Sequence, residues 1–278
     1  MIFYFSGVSS AADAQILKQA GVEHILVDMD DLPVLLETNW QGRIAIDSGS
    51  YRAFKSGKRL DPDAYIKRLD WLEGLAVTST DFSSGFQGGA NRYDFIAAPD
   101  VIGDPETTLS NWLYLTKSYR NALRSRLMPV WQWGASIEHL RLYLDTSPSG
   151  LVGLGGLVPL IRDRRSDHLS DSERKTWDKA RQKVLDQVLQ IAQAYPGRFH
   201  LLGLCWVKAF NVLKPYLASG DSSLWLEGAR YRFAIFQHSK TGKLSHAPAG
   251  MFPEFKSLDR SGLLLANAAN IERFVQAG

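Results

Sequence analysis

Short β-rich apolar runs alternate with longer amphipathic stretches from one end of this chain almost to the other. That rhythm restricts it to folds built on a parallel sheet whose strands are covered on both faces. The strand candidates are residues 2–5 (IFYF), 24–28 (HILVD), 43–46 (RIAI), 94–98 (DFIAA), 128–131 (MPVW), 151–154 (LVGL), 199–204 (FHLLGL) and 221–226 (DSSLWL). Helical spacing predicts helices over 10–20, 32–38, 62–73, 105–124, 136–144, 172–195 and 208–217. Asp104 suits the N-cap of the fourth of these, with Pro105 at its first position and Glu106 in its first turn. Ser170 or Asp171 introduces the helix over 172–195, and Pro196-Gly197 stops it. Eight strands in this rhythm favour a closed ring, so the expected fold is α/β: a (β/α)8 TIM barrel forming a single domain over 1–278. A doubly wound open sheet is the alternative. Residues 237–262 read as loop and 263–276 as a short helix, so 237–278 make a C-terminal loop and helix packed on the barrel.

An apolar fraction of 45% with 11% aromatics supports a large core and excludes a disordered chain. The net charge of +3 permits a nucleic-acid partner without arguing for one. Cys205 is the only cysteine, which excludes an intrachain disulfide and a cysteine-rich zinc site. No apolar run approaches the roughly 18 residues of a membrane span, and the opening MIFYFSGVSS does not read as a signal peptide. A cytoplasmic protein with no membrane partner is expected.

In barrels of this kind the C-terminal strand ends build the active site. The third strand runs into Asp47-Ser48-Gly49-Ser50-Tyr51-Arg52, the fourth into Pro99-Asp100, the fifth into Gln132-Trp133-Gly134 and the sixth into Gly155-Gly156-Leu157. The seventh ends near Cys205-Trp206, with Lys208 close behind, and the eighth element opens Gly220-Asp221-Ser222-Ser223. Singly, each aspartate reads equally well as the N-cap of the next helix. Together, three carboxylates, an amide and a glycine pair on one rim point to a site. The Gly/Ser turn after Asp47 lets backbone approach a flat ligand with Tyr51 as a stacking face, or it is an Asx-turn with a half-buried tyrosine. Gly155-Gly156 offers bare backbone to a base edge or permits close strand–helix packing, and it lacks the spacing of a dinucleotide fingerprint. In the charged loop over 159–171, Arg162, Arg164 and Arg165 are candidates for nucleic-acid phosphates, with Arg230 as a further contact. The alternative is a solvated loop paired through Asp163 and Asp167. His168 and His200 have no partner at metal-ligand spacing and read as structural, and Trp206 and Trp225 are the tryptophans nearest the site.

These residues carry a family resemblance. DSGSYR (47–52) resembles the DSGG-aromatic-Gln motif of the tRNA-guanine transglycosylases, and GLGGLV (153–158) their glycine–glycine–leucine turn. HLLGL (200–204), followed by a helix and SGDSS (219–223), is similar to the stretch that leads to their catalytic aspartate. Order and spacing agree over roughly residues 40–226. The resemblance implies a base exchange in which Asp221 attacks C1′ of a guanosine nucleotide while Asp47 serves as acid and base. It implies Tyr51 stacked on the base, Asp100 reading N1–H and the amino group, Gln132 the carbonyl, Gly155 and Gly156 a backbone contact, and Ser48 and Lys208 nearby. Displacement at an anomeric carbon passes through an oxocarbenium-like state that a carboxylate stabilises and traps, and two displacements restore the configuration. The target base must leave its stack. The chain departs from the tRNA enzymes in length, in Arg52 where they carry glutamine, and in lacking their C-x-C-x-x-C and His zinc site. In this it more resembles the DpdA-type DNA 7-deazaguanine transglycosylases. The expected partners are therefore DNA, with tRNA as the alternative, and a 7-deazaguanine such as preQ0. A homodimer or partner protein is compatible with this, no cofactor or zinc-binding insertion is expected, and a non-catalytic nucleic-acid-binding homologue is the competing class.

Overall fold

Strands with apolar residues at every position need two dry faces, and the computed structural model, which describes residues 1–78, 93–161, 170–204 and 206–277, provides both. The chain runs β1 (Ile2–Phe5), α1 (Ala11–Gln19), β2 (His24–Asp28), α2 (Leu32–Glu37), β3 (Arg43–Asp47), α3 (Ser50–Lys55), α4 (Pro62–Thr78), β4 (Tyr93–Ala97) and α5 (Pro105–Ser118). It continues through β5 (Leu127–Met128), β6 (Val130–Gln132), α6 (Ile137–Thr146), β7 (Val152–Gly155), α7 (Val158–Ile161), α8 (Asp171–Ala194), β8 (Phe199–Leu201), α9 (Val207–Leu213) and β9 (Ser219–Ser222). Last come α10 (Leu224–Arg230), β10 (Phe233–Gln237), β11 (Leu244–Pro248), α11 (Pro253–Lys256) and α12 (Arg260–Gln276).

Among the described residues, nine strands join in one parallel sheet in the order β5-β4-β3-β2-β1-β9-β8-β7-β6. The two ends of that order are neighbours in the chain. β5 and β6 flank Pro129, which has no N–H to donate and so interrupts a strand-like stretch over 127–132. The Met128 carbonyl accepts from Ala98 N–H at 2.9 Å, and that of Pro129 accepts from Gly153 N–H at 2.8 Å on the opposite side. The sheet is therefore nearly closed and barrel-like.

Side-chain alternation sorts the core into two parts. Tyr4, Leu26, Ala45, Phe95, Ala97, Met128 and Val130 form one buried cluster, the lumen of the ring. Their strand neighbours Phe3, Phe5, Ile25, Val27, Ile44, Ile46, Ile96 and Leu201 belong to the larger layer shared with the helices. Between Ile44 and Ile46 the register with β4 shifts, placing Tyr93 opposite Ile44 and Ile96 opposite Ile46. This bulge changes the alternation along β4 and lets Asp94 accept from Tyr4 Oη at 2.9 Å and pair with Arg43 at the N-terminal end of the ring.

Several expectations need correction. The segment 221–226 is not one strand: β9 ends at Ser222, and Trp225, Gly228 and Ala229 are buried at helical spacing in α10. The strand expected over 199–204 ends at Leu201, and the helices over 105–124 and 208–217 end at Ser118 and Leu213. Residues 50–55 form a helix where a turn was expected. Residues 237–262 are not loop, because β10 and β11 pair antiparallel as a hairpin. Side-chain amides hold both its strands. Asn267 on α12 accepts from Ile235 N–H at 2.8 Å and donates to the Phe233 carbonyl at 3.0 Å, and Asn270 donates to the Ile235 carbonyl at 2.8 Å. Asn211 on α9 accepts from Leu244 N–H at 3.0 Å and donates to its carbonyl at 2.9 Å. These residues satisfy strand-edge peptide groups that burial would leave unpaired. Among the described residues, no helix is long and apolar enough to cross a membrane.

Candidate active site

Inward parity carried to the C-terminal strand ends sets Ser6 beyond Tyr4, Asp28 beyond Leu26, Asp47 beyond Ala45, Gly155 beyond Gly153 and Asp221 beyond Ser219. With Asp100 and Gly156 they line one cavity of about 580 Å³, which also meets Tyr51, Arg52 and Lys55 of α3. That volume falls within the range of small-molecule sites.

Asp221 is buried at 4% exposure, and its Oδ1 accepts from the Gly203 N–H at 2.9 Å and lies 3.2 Å from His200 Nε2. Asp47 is partly exposed to the cavity. Burial pushes its carboxyl up to about 7, helped by the charges of Asp221, Asp100 and Asp28 and opposed by the Gly49 N–H. Asp100 sits behind α3, where its N–H donates to Ser50 Oγ at 3.1 Å and its Oδ1 is 3.4 Å from Ser48 Oγ. Burial raises the Asp100 carboxyl too, against hydrogen bonds from Ser50, Ser48 and Gln132. Carboxylates gathered in one buried space cannot all ionise freely, so Asp47 is the one placed to gain or lose a proton near neutral pH.

Gln132 donates through Nε2 to Asp100 Oδ2, while its buried Oε1 meets no hydrogen-bond partner among the described residues. The amide does not line the cavity. It lies flat against the glycine pair. A Cβ at Gly155 would stand 2.7 Å from Gln132 Nε2, and one at Gly156, where φ is +73°, would stand 2.7 Å from Oε1. The glycines thus make room for the amide whatever else they touch.

Asp47, Asp100, Asp221, Tyr51, Gly155 and Gly156 come together at the cavity, and Gln132 and Ser48 stand behind Asp100. Lys208 does not join them: it is exposed on α9, with Nζ 2.6 Å from Gln182 Oε1. Arg230 is exposed at the end of α10, over the Tyr231 ring. Arg162, Arg164, Arg165, His168 and Cys205 lie outside the described residues. Neither nearby tryptophan lines the cavity: Trp225 donates to the Ser6 carbonyl at 3.0 Å, and the Trp206 ring lies 4.1 Å from the Arg181 guanidinium. Arg52 is occupied by Asp31 at 2.5 Å and Asp28 at 3.4 Å.

Sequence inspection missed Asp28 and Ser6, and it read His200, which is fully buried beside Asp221, as structural. Asp28 and Ser6 follow from the strand-end rule once it is applied to β1 and β2. The contact of His200 with Asp221 gives no local signal, since it depends on the register that pairs His200 with Ser219.

Fold and site define an α/β protein with a barrel-like parallel sheet and a carboxylate-lined cavity at the strand C-termini. No family model and no curated protein matches the chain.

Proposed function

We propose that this protein is a base-exchange transglycosylase that replaces guanine in nucleic acid, DNA in the first instance, with a 7-deazaguanine such as preQ0. The observation that carries the reading is the convergence of Asp47, Asp100 and Asp221 on one cavity of about 580 Å³, which has room for a nucleoside. Counting the stretch over 127–132 as one strand interrupted at Pro129 makes the ring an eight-stranded TIM barrel, with the hairpin and α12 as additions to one domain.

Asp221, buried yet opening on the cavity, is the nucleophile at C1′. Asp47, protonated over part of its population near pH 7, supplies a proton to the departing purine and takes one from the incoming base. Asp100, held from behind by Gln132 Nε2, is the acceptor for the N1–H and 2-amino donors of guanine, with a Gly156 N–H for its carbonyl. Tyr51 at the rim, 36% exposed, offers the stacking face.

The test is release of labelled guanine from single-stranded DNA and from tRNA in the presence of preQ0, with denaturation to trap a protein–nucleic-acid adduct. Release from DNA, incorporation of the new base, and loss of the adduct in Asp221→Asn are expected. Release from tRNA alone overturns the DNA assignment, and abasic product without incorporation points to a hydrolytic glycosylase. No adduct with either nucleic acid leaves a binding protein instead.

A further inference from the structure

Beneath the floor of the cavity His200 is completely buried in the lumen, its ring centroid 4.6 Å from that of Phe95 and 5.8 Å from that of Tyr4. A polar ring at that depth must satisfy both nitrogens. Nδ1 lies 2.8 Å from Ser219 Oγ and Nε2 3.2 Å from Asp221 Oδ1. An ionised carboxylate only accepts, so Nε2 carries the hydrogen. In the neutral ring Nδ1 is then the acceptor, and the Ser219 hydroxyl donates to it. The Gly203 N–H reaches the same Oδ1 at 2.9 Å. Among the described residues both donors to the Asp221 carboxylate thus converge on one oxygen.

We propose that His200 is the positioning residue of Asp221. Held by Ser219 as the Nε2–H tautomer, it pins Oδ1 together with the Gly203 N–H and leaves Oδ2 to bond the sugar, a role that rests on the exchange reading above. In the first displacement an Oδ2 lone pair forms the bond to C1′. The C1′–N9 bond breaks toward the purine, which takes the proton of Asp47. In the second, N9 of the incoming base bonds C1′ and gives its proton to Asp47, and the C1′–Oδ2 electron pair returns to the carboxylate. Negative charge leaves Asp221 in the first step and comes back in the second. The hydrogen bonds to Oδ1 therefore weaken as the adduct forms and strengthen as it discharges. His200 acts chiefly on discharge.

Two readouts on the full chain test this. Ring-nitrogen NMR, with His200→Gln to assign the signal, should show a neutral Nε2–H ring at His200 that shifts in Asp221→Asn and in Ser219→Ala. An Nδ1–H or protonated ring, or one indifferent to both substitutions, overturns the proposal. Single-turnover kinetics on a labelled guanine-containing oligodeoxynucleotide, and on tRNA, form the second. His200→Leu should slow discharge ~10- to 100-fold, the scale of one hydrogen bond to a charged group. Formation should slow less, so that trapped adduct accumulates, and His200→Gln, which keeps a donor, should recover part of the rate. Equal slowing of both steps, or none, overturns the positioning role. If the wild type forms no adduct with either nucleic acid, the exchange reading fails, and the NMR signal still decides whether His200 pins Asp221.

Discussion

Replacing Asp47 by asparagine separates the electrostatics of the site from its shape. The amide keeps the size of the side chain and an acceptor for the Gly49 N–H, but it cannot ionise. Asp47 titrates near 3.8 in an unfolded chain and near 7 in the folded protein. Below about pH 4 both states hold the proton, and wild type and variant respond to pH alike. Between about pH 4 and 7 the unfolded wild type releases its proton while the folded state keeps it, so wild-type stability falls as pH rises. Above about pH 7 the folded state carries the buried charge and the full penalty is present. A gap of about three pH units at about 1.4 kcal/mol each gives about 4 kcal/mol, and water on the open side of the cavity screens part of it. Asp47→Asn should therefore stabilise the protein by on the order of 2–4 kcal/mol at pH 8, a rise of roughly 4–8 °C in Tm, with the gain shrinking toward pH 5. Base exchange should be lost in the same variant. Thermal melts of both proteins from pH 5 to 8.5 measure the effect. Curves that run parallel across that range, or a variant less stable at pH 8, would refute the claim that burial and neighbouring carboxylates hold the proton on Asp47.

Three further outcomes are expected. Asn267→Ala removes the acceptor of the Ile235 N–H beneath α12, a destabilisation of about 1–3 kcal/mol accompanied by faster exchange of the Ile235 amide; an unchanged melt would contradict it. Gly156→Ala forces a Cβ against Gln132 Oε1 at positive φ, which costs about 1–2 kcal/mol of backbone strain and weakens guanine binding, measured by calorimetry. Tyr51→Ala removes an exposed ring at the rim and should weaken binding of a guanine-containing oligonucleotide ~10-fold or more while Tm stays nearly constant; equal affinity would rule out stacking at that position.

Much of the site was legible because strand ends are local features. Asp47, Asp100, Gln132 and the glycine pair each end or follow an apolar run, and in a parallel sheet all strand C-termini face one way, whereas Asp221 was placed at the start of a strand and lies near the end of β9. Alternation counted back along β2 or β1 would have added Asp28 and Ser6 by the same logic. The stretch over 221–226 was misread because apolar LWL suits either period until packing chooses. In α10 the spacing of Trp225, Gly228 and Ala229 buries one helical face. The hairpin at 233–248 stayed hidden because its strands are only five residues each, β11 (LSHAP) carries little apolar pattern, and the edges are held by asparagines on α9 and α12 that are distant in the chain.

The sequence by itself determined that buried parallel strands alternate with helices and that carboxylates end several of them, because period and strand direction are properties of the local chain. Only the tertiary structure decided that the sheet nearly closes through Pro129, that the β4 bulge turns Asp94 toward Tyr4, and that His200 falls beside Ser219 and Asp221. Each of these depends on the register between strands distant in the chain, which packing sets and no single strand encodes.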